Sequence, residues 1–195
     1  MSIIDSVATS YLESLNRHQV LFETMEAYHQ EVMQLLEACH SALQAGGKVV
    51  WFGNGGSAAD AQHLAAEFVV RYKLERGPLA SIALTTDTSI LTAHSNDYHF
   101  DTVFERQVQA LCKPEDIVIG LTTSGTSNNI NLALEAANKI GAFTVAFTGR
   151  DGGKVKDIAK LPIIKNDETA RIQEAHMFIG HWLCEAMDMV VEEQQ

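Results

Sequence analysis

Residues 48–57 read Lys-Val-Val-Trp-Phe-Gly-Asn-Gly-Gly-Ser (KVVWFGNGGS), and this run decides the fold. Lys48–Phe52 is a short apolar stretch without alternation, the pattern of a strand in a sheet covered on both faces. The glycines then turn the chain straight into a helical pattern from Ala58 to about Tyr72. The same alternation of strand and helix repeats downstream. Ser81–Thr86 (SIALTT), Asp116–Thr122 (DIVIGLT), Ala142–Thr148 (AFTVAFT) and Leu161–Lys165 (LPIIK) read as further strands. Helical stretches follow over Phe100–Leu111, over Asn128–Lys139 and from about Ala170 to the C-terminus. Strands separated by helices give an α/β layered fold with a mostly parallel sheet. Upstream, residues 1–45 are helical in pattern, with Tyr11, Leu12 and Leu15, then Val32, Leu35, Leu36, Cys39 and Leu43, at three- and four-residue spacing. Gly46-Gly47 stops this segment. No repeat or linker interrupts the chain, so 1–195 reads as one domain, an N-terminal helical segment (1–45) joined to an α/β core (46–195).

Composition agrees. With 195 residues, 46% apolar and 20% charged, the chain can bury roughly 70% of its unfolded surface, which excludes disorder. Fourteen Lys and Arg against 25 Asp and Glu leave a net charge of −11. Such a surface repels nucleic acid and anionic membranes. Cys39, Cys112 and Cys184 have no metal or disulfide spacing, so reduced thiols in a cytoplasmic protein are expected. The N-terminus lacks the pattern of a secretory signal, and no apolar run is long enough to span a membrane.

Ligands in such folds bind beyond the carboxyl ends of the strands, and two of those ends carry unusual loops. Gly53-Asn54-Gly55-Gly56-Ser57 lets backbone approach a ligand at a helix N-terminus, where free N–H groups favour an anion. A tight turn closed by a Ser57–Asp60 capping box accounts for it equally well. Thr122-Thr123-Ser124-Gly125-Thr126-Ser127 sets five hydroxyls at a second helix start, more than the single cap by Ser127 requires. Phosphate is the favoured ligand there. A dinucleotide reading of the first loop is weak, because Asp87 lies some thirty residues beyond the glycines rather than about twenty, and no P-loop lysine is present. Neither loop contains Lys or Arg, so a phosphate would be held by N–H groups, hydroxyls and helix ends at short range.

His63 and Glu67 stand one turn apart on the helix after the first loop, as a shared metal or substrate site or as a solvated ion-pair face. Gln173 and His181 lie on the last helix, ~12 Å apart along its axis. That helix is apolar around most of its circumference, through Ile172, Met177, Phe178, Ile179, Trp182, Leu183, Met187 and Val190, and must be buried.

Four stretches together carry a family resemblance: GNGGSxxxAxHxxxE at 53–67, Asn96-Asp97, TTSGTS at 122–127 and RIQExHxxxxH at 171–181. The chain resembles the sugar isomerase (SIS) domain family over essentially its whole length, and within it the branch that isomerises heptose 7-phosphates. The resemblance implies a three-layer flavodoxin-like fold with a five-stranded parallel sheet, and homotetramers with active sites at subunit interfaces. The implied reaction interconverts sedoheptulose 7-phosphate and D-glycero-D-manno-heptose 7-phosphate through a cis-enediol, at the start of ADP-heptose synthesis for lipopolysaccharide. It assigns Glu67 as base and His181 as its acid/base partner. Asn54, Gly55, Gly56, Ser57, Glu67, Asn96, Asp97, Thr122, Thr123, Ser124, Ser127 and Gln173 would contact the sugar phosphate. Some members hold zinc through residues matching His63, Glu67, Gln173 and His181. The chain departs from the pattern at Thr122 and Thr126, where Ser and Asn are common, and at Ala170, where an acidic residue is frequent. A non-catalytic branch binds a replication initiator and lacks the Glu and the second His; this chain keeps both Glu67 and His181.

Overall fold

A computed structural model describes residues 3–160 and 162–192. In chain order the elements are α1 (Ile3–Phe22), α2 (His29–Gln44), β1 (Val49–Gly53), α3 (Gly56–Val69), β2 (Ser81–Ala83), α4 (Thr88–Asp97), α5 (Val103–Leu111), β3 (Ile117–Thr122), α6 (Asn128–Ile140), β4 (Phe143–Gly149), β5 (Ile163–Ile164) and α7 (Thr169–Glu192). The strands form one sheet in the order β2-β1-β3-β4-β5, and every pairing is parallel. That is the flavodoxin-like order, with the crossover at β1 and β3, so the loops after these two strands open side by side at one edge.

Alternation along the central strands splits the interior into two cores. Val49 and Trp51 of β1 join Ile117, Ile119, Val145 and Phe147 under α2, α3 and α7. Val50 and Phe52 face the other way, onto α5 and α6. Both layers are anchored by aromatic contacts, with Trp51 edge-on to Phe68 and Phe147, at ring-centroid separations of 5.9 and 6.3 Å, and Phe52 5.3 Å from Phe104. Burial on both faces explains why β1 and β3 read as unbroken apolar runs.

Several boundaries differ from the sequence reading, each for a local reason. Between β2 and β3 the chain forms two helices where one was expected, because Asp87 caps α4 by accepting from the Ile90 N–H at 2.9 Å. Asp87 is thereby explained as a cap, which removes the remaining support for a dinucleotide acid. β2 is only three residues long. The expected strand at 161–165 shrinks to Ile163–Ile164, with Leu161 outside the described residues. α3 begins at Gly56 behind Gly55, whose φ of +56° suits glycine, so Ser57 lies inside the first turn and forms no capping box with Asp60.

The N-terminal segment divides into α1 and α2. Leu35, Leu36 and Cys39 of α2 are buried, whereas Tyr11, Leu12 and Leu15 of α1 are exposed. On α7, Ile172, Ile179, Leu183 and Met187 enter the core, while Phe178 remains half exposed. The three cysteines are unbridged. Among the described residues no helix is long and apolar enough to cross a membrane.

Candidate active site

The loop after β1 and the loop after β3 are tied together by two asparagines. Asn54 Nδ2 donates to Asn129 Oδ1 at 2.9 Å, and Asn129 Nδ2 donates back to Asn54 Oδ1 at 2.8 Å. The glycine loop is therefore held against the first turn of α6. In the hydroxyl loop, Thr122 is buried and its Oγ1 accepts from the Gly125 N–H at 3.2 Å, closing the turn. Ser124 and Thr126 share a hydroxyl hydrogen bond of 3.0 Å. Ser127 occupies the cap position of α6 without a side-chain cap bond. The expected cap is absent, so no Ser127 side-chain bond takes up the first N–H groups of the helix.

α3 and α7 run side by side in the same direction, and the titratable residues lie in the seam between them. His63 Nε2 and His181 Nε2 are 2.8 Å apart, a hydrogen bond that requires one ring to donate and the other to accept. Glu67 Oε1 stands 3.7 Å from His63 Nε2, one turn further along α3. Tyr72 stacks on His181 at 5.8 Å between ring centroids, with an 18° tilt, and so restrains the imidazole. One turn nearer the glycine loop, Gln173 Nε2 donates to Asp60 Oδ2 at 2.9 Å. Gly56 leaves room for this amide, since a Cβ at that position would come within 2.6 Å of Gln173 Nε2.

His63, Glu67 and His181 therefore meet within one chain, while Gln173 belongs to an adjoining level of the same seam. Asn96 and Asp97 are exposed at the end of α4, where Asn96 Nδ2 donates to Asp97 Oδ1 at 2.8 Å. Sequence reading missed Asp60 and Tyr72 as parts of this site. Asp60 was visible as an acid one turn before His63, and Tyr72 gave no signal, because its partner lies more than a hundred residues away.

Burial raises the Asp60 carboxyl above its ordinary value, opposed by the Gln173 hydrogen bond and by the fields of His63 and His181. His176, on the core side of α7, is wholly buried; desolvation lowers its pKa to about 4, although its Nε2 lies 3.1 Å from the Thr148 carbonyl.

The donor set suits zinc in chemistry. Two imidazoles and a carboxylate are common ligands, but tetrahedral Zn–N bonds hold two nitrogens about 3.3 Å apart, so the histidine pair must open by roughly half an ångström. Among the described residues no group of three or more His, Cys, Asp and Glu side chains is already disposed around a common point.

Comparison with known proteins gives a consistent picture. The SIS domain family model matches residues 10–149. The chain is 55% identical to a phosphoheptose isomerase of Aquifex aeolicus over 177 residues, covering 90% of this chain and 93% of that one. A phosphoheptose isomerase of Paramagnetospirillum magneticum is 50% identical over 173 residues, covering 88% and 90%. Among solved structures, phosphoheptose isomerase from Neisseria gonorrhoeae superposes with a TM-score of 0.86 at 41% identity, covering 96% of this chain and 100% of that one. The Francisella tularensis protein of the same name gives 0.87 at 37% identity, covering 97% and 100%.

The buried His176 has a measurable consequence for stability. Its folded pKa lies below the unfolded value, so its contribution is fully present above about pH 6.5 and is lost as pH falls towards 4, by about 3 kcal/mol in all. Urea unfolding across that window should show the decline, and His176→Gln should flatten this part of the profile relative to the parent.

Proposed function

The chain belongs to the phosphoheptose isomerase family of SIS-domain proteins, and from that membership and the geometry of the seam we propose that it interconverts sedoheptulose 7-phosphate and D-glycero-D-manno-heptose 7-phosphate in heptose biosynthesis. One observation carries the reading: a carboxylate and two imidazoles, Glu67, His63 and His181, are grouped along the seam between α7 and the helix that the glycine loop starts. A sugar phosphate with its phosphate on the α6 start and the loop of Thr122, Thr123, Ser124 and Ser127 directs its other end towards Asn54, Gly55, Gly56 and Ser57. Remote binding then becomes orientation at the reacting carbons.

In the ketose-to-aldose direction Glu67 removes a proton from C1, giving a cis-enediol, and returns it to C2. His181 moves a proton between the oxygens on C1 and C2. The Tyr72 stack keeps its ring in place for this transfer. Gln173, Asn96 and Asp97 are assigned to sugar hydroxyls. Each acid–base group contributes ~10²–10⁴-fold. Glu67→Gln should accordingly lower kcat by at least 10²-fold while leaving sugar phosphate binding measurable by calorimetry. Turnover within a few-fold of the parent contradicts the assignment of the base.

Zinc is proposed on the donor chemistry. His63, His181 and Glu67 would hold it in the substrate-free protein, joined by Oε1 of Gln173, whose Nε2 is already committed to Asp60, and Glu67 and His181 would have to leave the ion to act as base and acid. When bound, the ion supplies Lewis acidity towards the substrate carbonyl. Chelator-treated protein should lose zinc and turnover together and regain both on zinc addition; full turnover of metal-free protein contradicts this.

Assembly into a homotetramer with active sites at subunit interfaces is proposed from the family membership, and α1 supports the association of chains. It exposes Ile3, Ile4, Val7, Tyr11, Leu12 and Leu15, a stripe that continues along a 20-residue helix and lacks a cover in the single chain. Light scattering should give the mass of four chains, and a fully active monomer contradicts the proposal.

A further inference from the structure

Behind the seam, seven residues beyond His181 on α7, lies an ion pair that the reaction as described does not use. Arg76 Nε donates to Asp188 Oδ1 at 2.7 Å, and the two side chains are 1% and 0% exposed. The rest of the guanidinium is spent on backbone. Nη2 donates to the Glu67 carbonyl at 2.9 Å, and Nη1 donates to the Phe68 carbonyl at 2.8 Å and the Gly77 carbonyl at 3.0 Å. Oδ2 of Asp188 accepts from the N–H groups of Lys73 and Leu74 at 2.6 and 2.9 Å. Burial alone would raise the Asp188 carboxyl, but the Leu74 and Lys73 N–H groups and the guanidinium outweigh it and hold the group ionised below its ordinary range.

Two of the three carbonyls that Arg76 takes, those of Glu67 and Phe68, are among the last of α3, where the helix supplies no N–H of its own; the Phe68 carbonyl also accepts from the Leu79 N–H at 3.1 Å. Water could satisfy them at a surface. Here they are gripped by a cation anchored on α7. A second pair, Lys73 with Glu185 at 2.7 Å, also joins this segment to α7, but both its side chains are exposed. A buried ion pair seldom adds more stability than apolar residues of the same volume, so stability alone is a weak account of its presence. What this pair does uniquely is fix the backbone of Glu67 against the helix that carries His181.

We propose that Arg76 and Asp188 are positioning residues for the isomerisation: the pair sets the separation of the Glu67 carboxylate and the His181 imidazole by clamping the last turn of α3 to α7. The inference rests on the assignment of Glu67 and His181 to proton transfer. A displacement of about 1 Å at reacting groups can cost 10²-fold in rate, so loosening the clamp acts on turnover. The hydroxyl loop that takes the phosphate lies between β3 and α6 and makes no bond to the clamp, so apparent affinity for the sugar phosphate stays in place.

The test compares Arg76→Lys with Ile117→Ala, a cavity variant at the start of β3 in the core layer that α3 and α7 share, away from the bonds of the clamp. Lysine keeps the charge but lacks the fork that spans Asp188 and three carbonyls. Arg76→Lys should lower kcat at least tenfold with KM within threefold of the parent, whereas Ile117→Ala, at a comparable or greater loss of Tm, should keep kcat within twofold. Asp188→Asn preserves the shape and still accepts from Lys73 and Leu74; it decides the matter if Arg76→Lys does not fold, and it should also lower kcat at constant KM. If the folded clamp variants match Ile117→Ala, the pair is structural only and the proposal falls. A parent protein without isomerase activity would instead overturn the reaction assignment.

Discussion

Close contact between α3 and α7 is the constraint on which the site depends. It is possible because position 180 carries no side chain. A Cβ on Gly180 would come within 2.6 Å of Leu64 Cδ2, and Leu64 is fully buried beneath the crossing. With the two backbones this near, His63 on one helix and His181 on the next reach each other directly. Gly56 serves the same end of closeness one level up, where the Gln173 amide occupies the space a side chain would take. A parallel sheet delivers the loops to one edge, but it does not join the helices. The two glycines let the helices approach, and the Arg76–Asp188 pair holds the end of α3 in place.

Much of this was legible in the sequence, because its causes are local. KVVWF, DIVIGLT and AFTVAFT are strands buried on both faces, and their continuous apolar character announces it. The glycine and hydroxyl loops were identified from composition alone. α4 was missed because TSILTAHSND has a weak apolar face, and the helix depends on a cap, Asp87, that had been weighed for a different role. The Ser57–Asp60 box looked correct by spacing and failed because Gly55 takes the cap position, two residues before Ser57, and the helix starts at Gly56. Tyr72 and the Arg76–Asp188 pair were invisible for a further reason. Their meaning lies in partners about 110 residues away, and no periodicity in the chain encodes such a distance.

Roles and positions also had different sources. Spacing alone left His63 and Glu67 open between a solvated face and a site, and only the family resemblance assigned a base. The structure adds a reason of its own. The Glu67 carboxylate faces His63, and His63 in turn bonds His181, so among the described residues the carboxylate pairs with an imidazole of the seam rather than with a lysine or arginine. The charge of −11 fits the same scheme. An acidic protein can hold a phosphate if N–H groups and hydroxyls contact it within hydrogen-bond range, where screening and net charge matter little.

Proton transfer through an enediol is the central claim, and isotope exchange tests it most directly. The isomerisation is run to equilibrium in D2O with sedoheptulose 7-phosphate, and both sugars are examined by NMR. Deuterium at C2 of the aldose and at C1 of the ketose is the predicted result, because the proton carried by Glu67 exchanges with solvent over repeated turnovers. Full interconversion with no deuterium at either carbon would mean that hydrogen passes directly between them, and would contradict the account.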